Sequence, residues 1–169
     1  MRIQTERLEI TELTQDMAWD IHVNSLDEDT RRFVPDEVFE TLDEAQETVA
    51  FLIRQYDGFT GPLVYAVLRK ADGQNLGYVQ MVPLNDGAWE IGYHIGKPFT
   101  NSGYATEAVR AFLPVMAKRI GIREVYGICL MENAASCRVL EKCGFEALFT
   151  GLGEYQGKRS EIVKRIWKA

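Results

Sequence analysis

Asn101-Ser102-Gly103, immediately ahead of Tyr104-Ala105-Thr106-Glu107, has the residue types of an anion site. The first N–H groups of a helix have no intrahelical partner and lie at the positive end of its dipole. Here no bulky side chain at 101–103 keeps a phosphate away from them. Such a site needs a helix behind it and a strand in front. The preceding run Trp89-Glu90-Ile91-Gly92-Tyr93-His94-Ile95 alternates as a strand does, with Trp89, Ile91, Tyr93 and Ile95 on one face, and an amphipathic helix follows. The same strand-turn-helix order also serves as a plain chain reversal. Spacing excludes two familiar phosphate loops: Gly92 to Gly96-Lys97 is one residue short of a P-loop, Pro98 stands at its Ser/Thr position, and no G-x-G-x-x-G occurs.

The elements that must position this segment can be read on either side of it. Leu8, Ile10 and Leu13 predict an opening strand, and Thr14-Gln15-Asp16 starts a helix carrying Met17, Trp19, Ile21 and Val23. Thr41 with Glu44 is a capping-box signature for a second helix, on which Leu42, Ala45, Val49, Leu52 and Tyr56 recur at helical spacing. Between the two helices lies an acidic loop, Asp27-Glu28-Asp29 and then Asp36-Glu37. Strands over 63–69, 76–84 and 88–95, separated by Asp72-Gly73 and Asn85-Asp86-Gly87, predict an antiparallel meander. The long helix 104–120 contains Pro114, which removes the hydrogen bond to Arg110 and should kink or shorten it. A strand over 125–130, a helix from Asn133 to Cys143 ending at Gly144, and two strands flanking Gln156-Gly157-Lys158 complete the chain. The fold class is α+β, a single domain with a mixed, mostly antiparallel sheet of about six to seven strands flanked by helices.

Composition narrows the function classes. The chain has 169 residues, 46% of them apolar, which suits one domain with a substantial core. A formal charge of -6 without a basic cluster argues against nucleic acid as a partner. Cys129, Cys137 and Cys143 are odd in number and lack metal or redox spacing, so reduced thiols are expected, and no Cys–His constellation marks a nucleophile. With only His22 and His94, no histidine metal cluster is expected. No signal peptide, transmembrane run or lipidation motif is visible, so the expectation is a cytoplasmic protein that does not engage membranes. Lys97, Arg110, Arg138 and Lys142 are the cations nearest the anion site, each also explicable as a solvated surface charge.

A second segment, Asn133-Ala134-Ala135-Ser136-Cys137-Arg138-Val139-Leu140-Glu141-Lys142-Cys143-Gly144-Phe145, sharpens the reading. With Glu90-Ile91-Gly92-Tyr93-His94-Ile95 and Gly103-Tyr104-Ala105-Thr106-Glu107-Ala108, it resembles the GNAT superfamily of acyl-CoA N-acyltransferases. The likeness is to the branch of Rim-type N-terminal acetyltransferases, whose pattern is E-I-G-Y-x-I, then G-Y-A-T-E-A, then N-x-x-S-x-R-V-L-E-K-x-G-F. Thr5-Glu6-Arg7-Leu8 is similar to that branch's opening strand, so the resemblance spans nearly the whole chain.

The resemblance implies acetyl-CoA as cosubstrate and no metal. It implies a splayed strand pair whose gap admits the pantetheine arm onto the backbone of Tyr93, His94 and Ile95, in the manner of an added strand. The pyrophosphate would sit on Asn101, Ser102, Gly103, Tyr104, Ala105 and Thr106, with Asn133, Ser136 and Arg138 also at the cofactor. Two departures stand out. Thr100 replaces the Gln or Arg usual there, and Leu140 replaces a tyrosine that acts as general acid in many members.

Acyl transfer to an amine needs a neutral amine, a stabilised oxyanion and a proton for the departing thiolate. Backbone N–H groups near Tyr93 and His94 are the oxyanion candidates. Glu90 and His94 share a strand face about 13 Å apart, too far for a directly bonded pair, and either is a candidate base, directly or through water. His94 also reads as a structural side chain and Glu90 as a structural hydrogen-bonding group. Ser136 is the candidate for protonating or holding the thiolate, with Tyr155 in reserve; Asn133 and Ser136 equally read as helix-capping residues. The expected function is acetyl transfer from acetyl-CoA to a primary amine in a ternary complex, the leading acceptor being a protein N-terminus. An aminoglycoside, polyamine, amino acid or other small amine stays open, as does monomer against homodimer. A non-catalytic CoA-binding sensor and an unrelated nucleotide-binding domain are the competing classes.

Overall fold

The computed structural model spans Met1–Ala169. Two short opening strands, β1 (Arg2–Gln4) and β2 (Leu8–Glu12), lead into a 3-10 turn and α1 (Ala18–Asn24), then α2 (Glu28–Phe33) and α3 (Leu42–Ile53). The meander β3 (Leu63–Arg69), β4 (Asn75–Pro83) and β5 (Trp89–Ile95) follows, then α4 (Tyr104–Ile120), β6 (Glu124–Leu130), α5 (Ala134–Lys142) and the hairpin β7 (Glu146–Tyr155) and β8 (Lys158–Lys168). The strands form one eight-stranded sheet in the order β1-β2-β3-β4-β5-β6-β8-β7. All neighbours are antiparallel except β5 and β6. The α+β class and mixed sheet match the sequence reading. The strand count exceeds it, because the chain ahead of Leu8 pairs Arg2–Gln4 against Glu9–Thr11.

Strand alternation divides the core between the two faces of the sheet. On one face Tyr65 and Val67 pack with Ala108, Val109, Phe112, Leu113 and Met116 of α4. On the other, Val64, Ala66 and Tyr78 pack with Ala18 and Ile21 of α1 and Ala45 and Val49 of α3. This second face also carries Glu90, Gly92 and His94, since Tyr78 lies opposite His94 and Gln80 opposite Gly92 in the β4–β5 register. The α3 capping box is present in both directions between Thr41 and Glu44.

Three local expectations need correction, and one close approach was not foreseen. The acidic stretch after Ser25 is not all loop: Asp27 accepts from the Thr30 N–H and caps α2. In α1, Ala18 and Ile21 are the buried residues, while Trp19 and Val23 face solvent, because residues two apart on a helix point to different sides and only the i, i+3 pair shares the core face. Pro114 does not shorten α4, which runs unbroken over Tyr104–Ile120. It lies on the exposed face, where water can take the hydrogen bond that the Arg110 carbonyl loses. Gly77, unremarked in the sequence, has φ 149°, and a Cβ there would lie 1.9 Å from the His94 carbonyl oxygen. Only glycine lets β4 approach β5 so closely at this point.

Candidate functional site

The sheet opens where its one parallel pairing fails. β4 and β5 stay in register from Gly77–Ile95 to Pro83–Trp89, but β5 meets β6 at a single position, Glu90 opposite Tyr126. Past that point the two strands separate. α4 and α5 approach the opening from one side and the α2 region from the other, leaving a cavity of about 790 Å³. Every residue singled out from the sequence as catalytic or cofactor-binding lines this cavity except Ser102.

At one end lies a cradle of peptide groups. Asn101 and Gly103 adopt left-handed conformations, φ 63° and 79°, and Gly103 is the N-cap of α4. The N–H groups of residues 101–106 find no acceptor within the protein. Thr5-Glu6-Arg7-Leu8 holds this loop in place. Thr5 Oγ1 donates to Glu107 at 2.6 Å and the Arg7 N–H at 3.0 Å, while Arg7 Nη1 reaches the Ser102 carbonyl at 2.9 Å. The Arg7 guanidinium also lies 4.5 Å from the Tyr104 ring centroid. Thr100 turns its hydroxyl back to the Lys97 carbonyl, 2.8 Å away, so it closes the preceding 3-10 turn instead of facing the cradle. Of the four candidate cations, Lys97 is paired with Asp29 and Arg110 is bound to the Lys142 carbonyl. Arg138 and Lys142 line the cavity.

Across the gap, the Asn133 side chain accepts from the Ser136 N–H at 3.2 Å and caps α5. Tyr93 extends from β5 to bring its hydroxyl within 2.9 Å of both the Ser136 carbonyl and the Ser136 Oγ. A carbonyl only accepts, so the single Tyr93 proton goes there and the Ser136 hydroxyl donates to the Tyr93 oxygen. This link was not foreseen, because 43 residues separate its ends. Leu140 is fully buried against Gly127, where a Cβ would lie 2.5 Å from its Cδ2. The position that departs from the general-acid tyrosine is therefore a packing position here. The Cys129 and Cys137 sulfurs are 2.8 Å apart behind Ser136.

The opposite end is acidic. Glu37, on the turn after α2, accepts from Tyr78 Oη and from Gln80 Nε2, the latter at 2.8 Å. Gln80 reaches it by lying across Gly92, where a Cβ would stand 2.7 Å from its Nε2. Beside this array Glu90 makes no hydrogen bond through its side chain, and burial first, then the neighbouring Glu37, push its carboxyl up to about 7, against a smaller opposing effect of Lys164. Tyr155, at the end of β7, faces the same space, and burial raises its phenol well above the ordinary value. His94 is otherwise engaged. Thr30 Oγ1 donates to Asp27 at 2.6 Å, so His94 Nε2 is the donor in its 2.7 Å contact with Thr30. Its ring stacks on Tyr78, and burial lowers its pKa. That engagement supports the structural reading of His94. Tyr78, Gln80 and Thr30 were missed, and Glu37 was noted only as part of an acidic loop. The one local signal was the Tyr78-x-Gln80 alternation, which puts both side chains on one face.

Comparisons with known proteins bear on the family and the fold. The family model described as "Acetyltransferase (GNAT) domain" matches residues 7–146. A Bacillus subtilis (strain 168) protein, the uncharacterized N-acetyltransferase YnaD, is 26% identical over 145 residues, covering 85% of this chain and 82% of the relative. The crystal structure of a GNAT-family acetyltransferase from Bacillus anthracis superposes with a TM-score of 0.84 at 22% identity, covering 99% of this chain and 98% of that one. A Salmonella typhimurium acetyl transferase that modifies the N-terminal serine of ribosomal protein L7/L12 superposes with a TM-score of 0.83 at 17% identity, covering 100% and 99%. At these identities the two solved structures share the fold.

Proposed function

Because the chain belongs to the GNAT acetyltransferase family, we propose that it moves an acetyl group from acetyl-CoA directly to a primary amine in a ternary complex. The observation that carries this reading is the order of groups along one cavity: the cradle of free amides, then the Tyr93–Ser136 pair, then Glu90. The amides of 101–106 and Arg138 suit the pyrophosphate, a diffuse anion best held by many donors. The backbone of Tyr93, His94 and Ile95 would hold the pantetheine arm along the gap, and N–H groups there would face the developing oxyanion.

In this scheme the acceptor enters as an ammonium ion and Glu90 takes its proton. The freed amine attacks the thioester carbon, the C–N bond forms and the C–S bond breaks. As the C–S bond breaks the nitrogen sheds its second proton. The departing thiolate takes a proton from Ser136, which Tyr93 holds in place, and the proton released by the nitrogen restores the Ser136 hydroxyl, with Tyr155 as the other hydroxyl within the cavity. Direct transfer is favoured over an acyl-cysteine, since none of Cys129, Cys137 and Cys143 lines the cavity and burial raises the Cys143 thiol to about 11. The leading acceptor is a protein N-terminus, supported by the Rim-type pattern and by the Salmonella neighbour. The acidic end, with Asp27, Glu37, Glu90 and Glu154, suits any cationic amine.

Incubation with acetyl-CoA and a panel of N-terminal peptides, aminoglycosides, polyamines and amino acids, followed by free thiol, tests the proposal. Release that depends on an amine is the expected result, and the best amine identifies the acceptor class. Stabilisation by CoA with no acceptor-dependent release across the panel would replace the enzyme with a CoA-binding sensor. Within the site, Ser136→Ala should lower kcat about a hundredfold, far more than it lowers CoA affinity. The Asn133 cap survives that change because it uses the Ser136 N–H. An unaltered kcat would transfer the role to Tyr155.

A further inference from the structure

We propose that Glu37 is a positioning residue for the reaction: held by Tyr78 and Gln80 over the gap at Gly92, its carboxylate faces Glu90 and keeps Glu90 basic enough to take a proton from the acceptor. The inference rests on the reading of Glu90 as proton acceptor.

The geometry is unusual for a side chain from a connecting turn. Both carboxylate oxygens of Glu37 are fixed, one by Tyr78 Oη and one by Gln80 Nε2, and both donors are neutral. No cation shares the array; burial raises the Glu37 carboxyl above its ordinary value, and the hydrogen bonds from Tyr78 and Gln80 oppose that rise and favour the ionised form. Tyr78, Gln80 and Val82 face the residues His94, Gly92 and Glu90 of the next strand in strict register, so Gln80, which holds Glu37, lies one same-face position from the partner of Glu90. The absence of a side chain at Gly92 is what lets Gln80 lie flat enough to complete the clamp. A carboxylate held purely for stability would gain more from a lysine or arginine than from two neutral donors in a buried place.

The groups facing Glu90 come from several elements. Glu37 approaches from the turn after α2, with Asp36 beside it; Tyr155 and Glu154 approach from β7, and Lys164 from β8. Of these, Glu37 raises the Glu90 carboxyl and Lys164 lowers it. Lys164 also lies over the Tyr126 ring, 4.3 Å from its centroid. A like charge disfavours ionisation of its neighbour, and the resulting carboxylate is a stronger base. That suits a task in which the proton must come from an ammonium, a much weaker acid than a free carboxylic acid.

Carbon-13 NMR titration of the free protein, labelled at the glutamate δ-carbons, reads this directly. Glu90→Gln assigns the Glu90 resonance. The wild-type Glu90 carboxyl should titrate near 7, and in Glu37→Gln its midpoint should fall by about one unit. The acid limb of the kcat profile should move by the same amount, whereas a purely structural loss scales the rate at every pH without moving the limb. An unmoved Glu90 midpoint overturns the proposal. Should Glu37→Gln fail to fold, the wild-type Glu37 resonance decides alone: a second step at the Glu90 midpoint supports the coupling, and a single step overturns it. Failure of the underlying reading looks different, since a fully active Glu90→Gln enzyme would remove Glu90 as base whatever the titrations gave.

Discussion

Glu90→Gln is expected to lower kcat at neutral pH by about two to four powers of ten, the range for removing a positioned acid-base group. The loss should shrink as pH rises, because the acceptor then sheds its proton to solvent without help. Stability should change in the opposite sense. A carboxyl raised from 4.5 to about 7 binds its proton more tightly in the folded chain than in the unfolded one. The stability it contributes is fully present below the unfolded value and is lost as pH climbs through the folded value. At pH 8 the wild-type protein therefore bears the cost of a buried charge, about 3 kcal/mol at about 1.4 kcal/mol per pKa unit, and the glutamine does not. Urea unfolding should find Glu90→Gln the more stable protein at pH 8 and the two proteins alike near pH 4. A variant that is inactive and also less stable at pH 8 would mean that Glu90 is a structural group.

Gly103→Trp should abolish cofactor binding. The glycine sits at φ 79°, so any other residue carries a backbone cost of about 1–2 kcal/mol. A Cβ would have open space, its nearest neighbour being Arg7 Nη2 at 3.5 Å, so the chain should still fold. The indole would overhang the amides of residues 101–106, which have no acceptor within the protein. Losing two charge-assisted hydrogen bonds at about 1.5–3 kcal/mol each corresponds to at least about a hundredfold in affinity. Loss of CoA-induced thermal stabilisation in a folded protein is the expected outcome. Unchanged affinity would remove the loop from the cofactor site.

The parts of this account that were legible in the sequence depend on local pattern. Alternation at Trp89, Ile91, Tyr93 and Ile95 marked β5, the small residues before Tyr104 marked the amide cradle, and Asn133 marked the start of α5. Short elements were harder. α2 is only six residues long and its cap, Asp27, begins an acidic run that reads as solvated loop. The expected shortening at Pro114 did not follow, because its effect depends on which face of α4 it occupies, and that is decided by packing against the sheet. The contacts that give the site its chemistry join distant positions. Tyr93 meets Ser136 across 43 residues, Glu37 meets Tyr78 across 41, and Thr30 meets His94 across 64. No spacing rule reaches that far. Family resemblance pointed to Ser136 and Glu90, but it could not indicate that Tyr93 shares its proton network with Ser136, nor that Tyr78 and Gln80 hold Glu37 in the same cavity as Glu90.

The most direct test of the central claim is a crystal structure with CoA and the best acceptor of the panel bound together. The account predicts the pyrophosphate on the amides of residues 101–106, the thiol within reach of Ser136 and Tyr93, and the acceptor nitrogen between that sulfur and Glu90. CoA bound outside the β5–β6 opening, or an acceptor nitrogen on the far side of the sheet from Glu90, would contradict it.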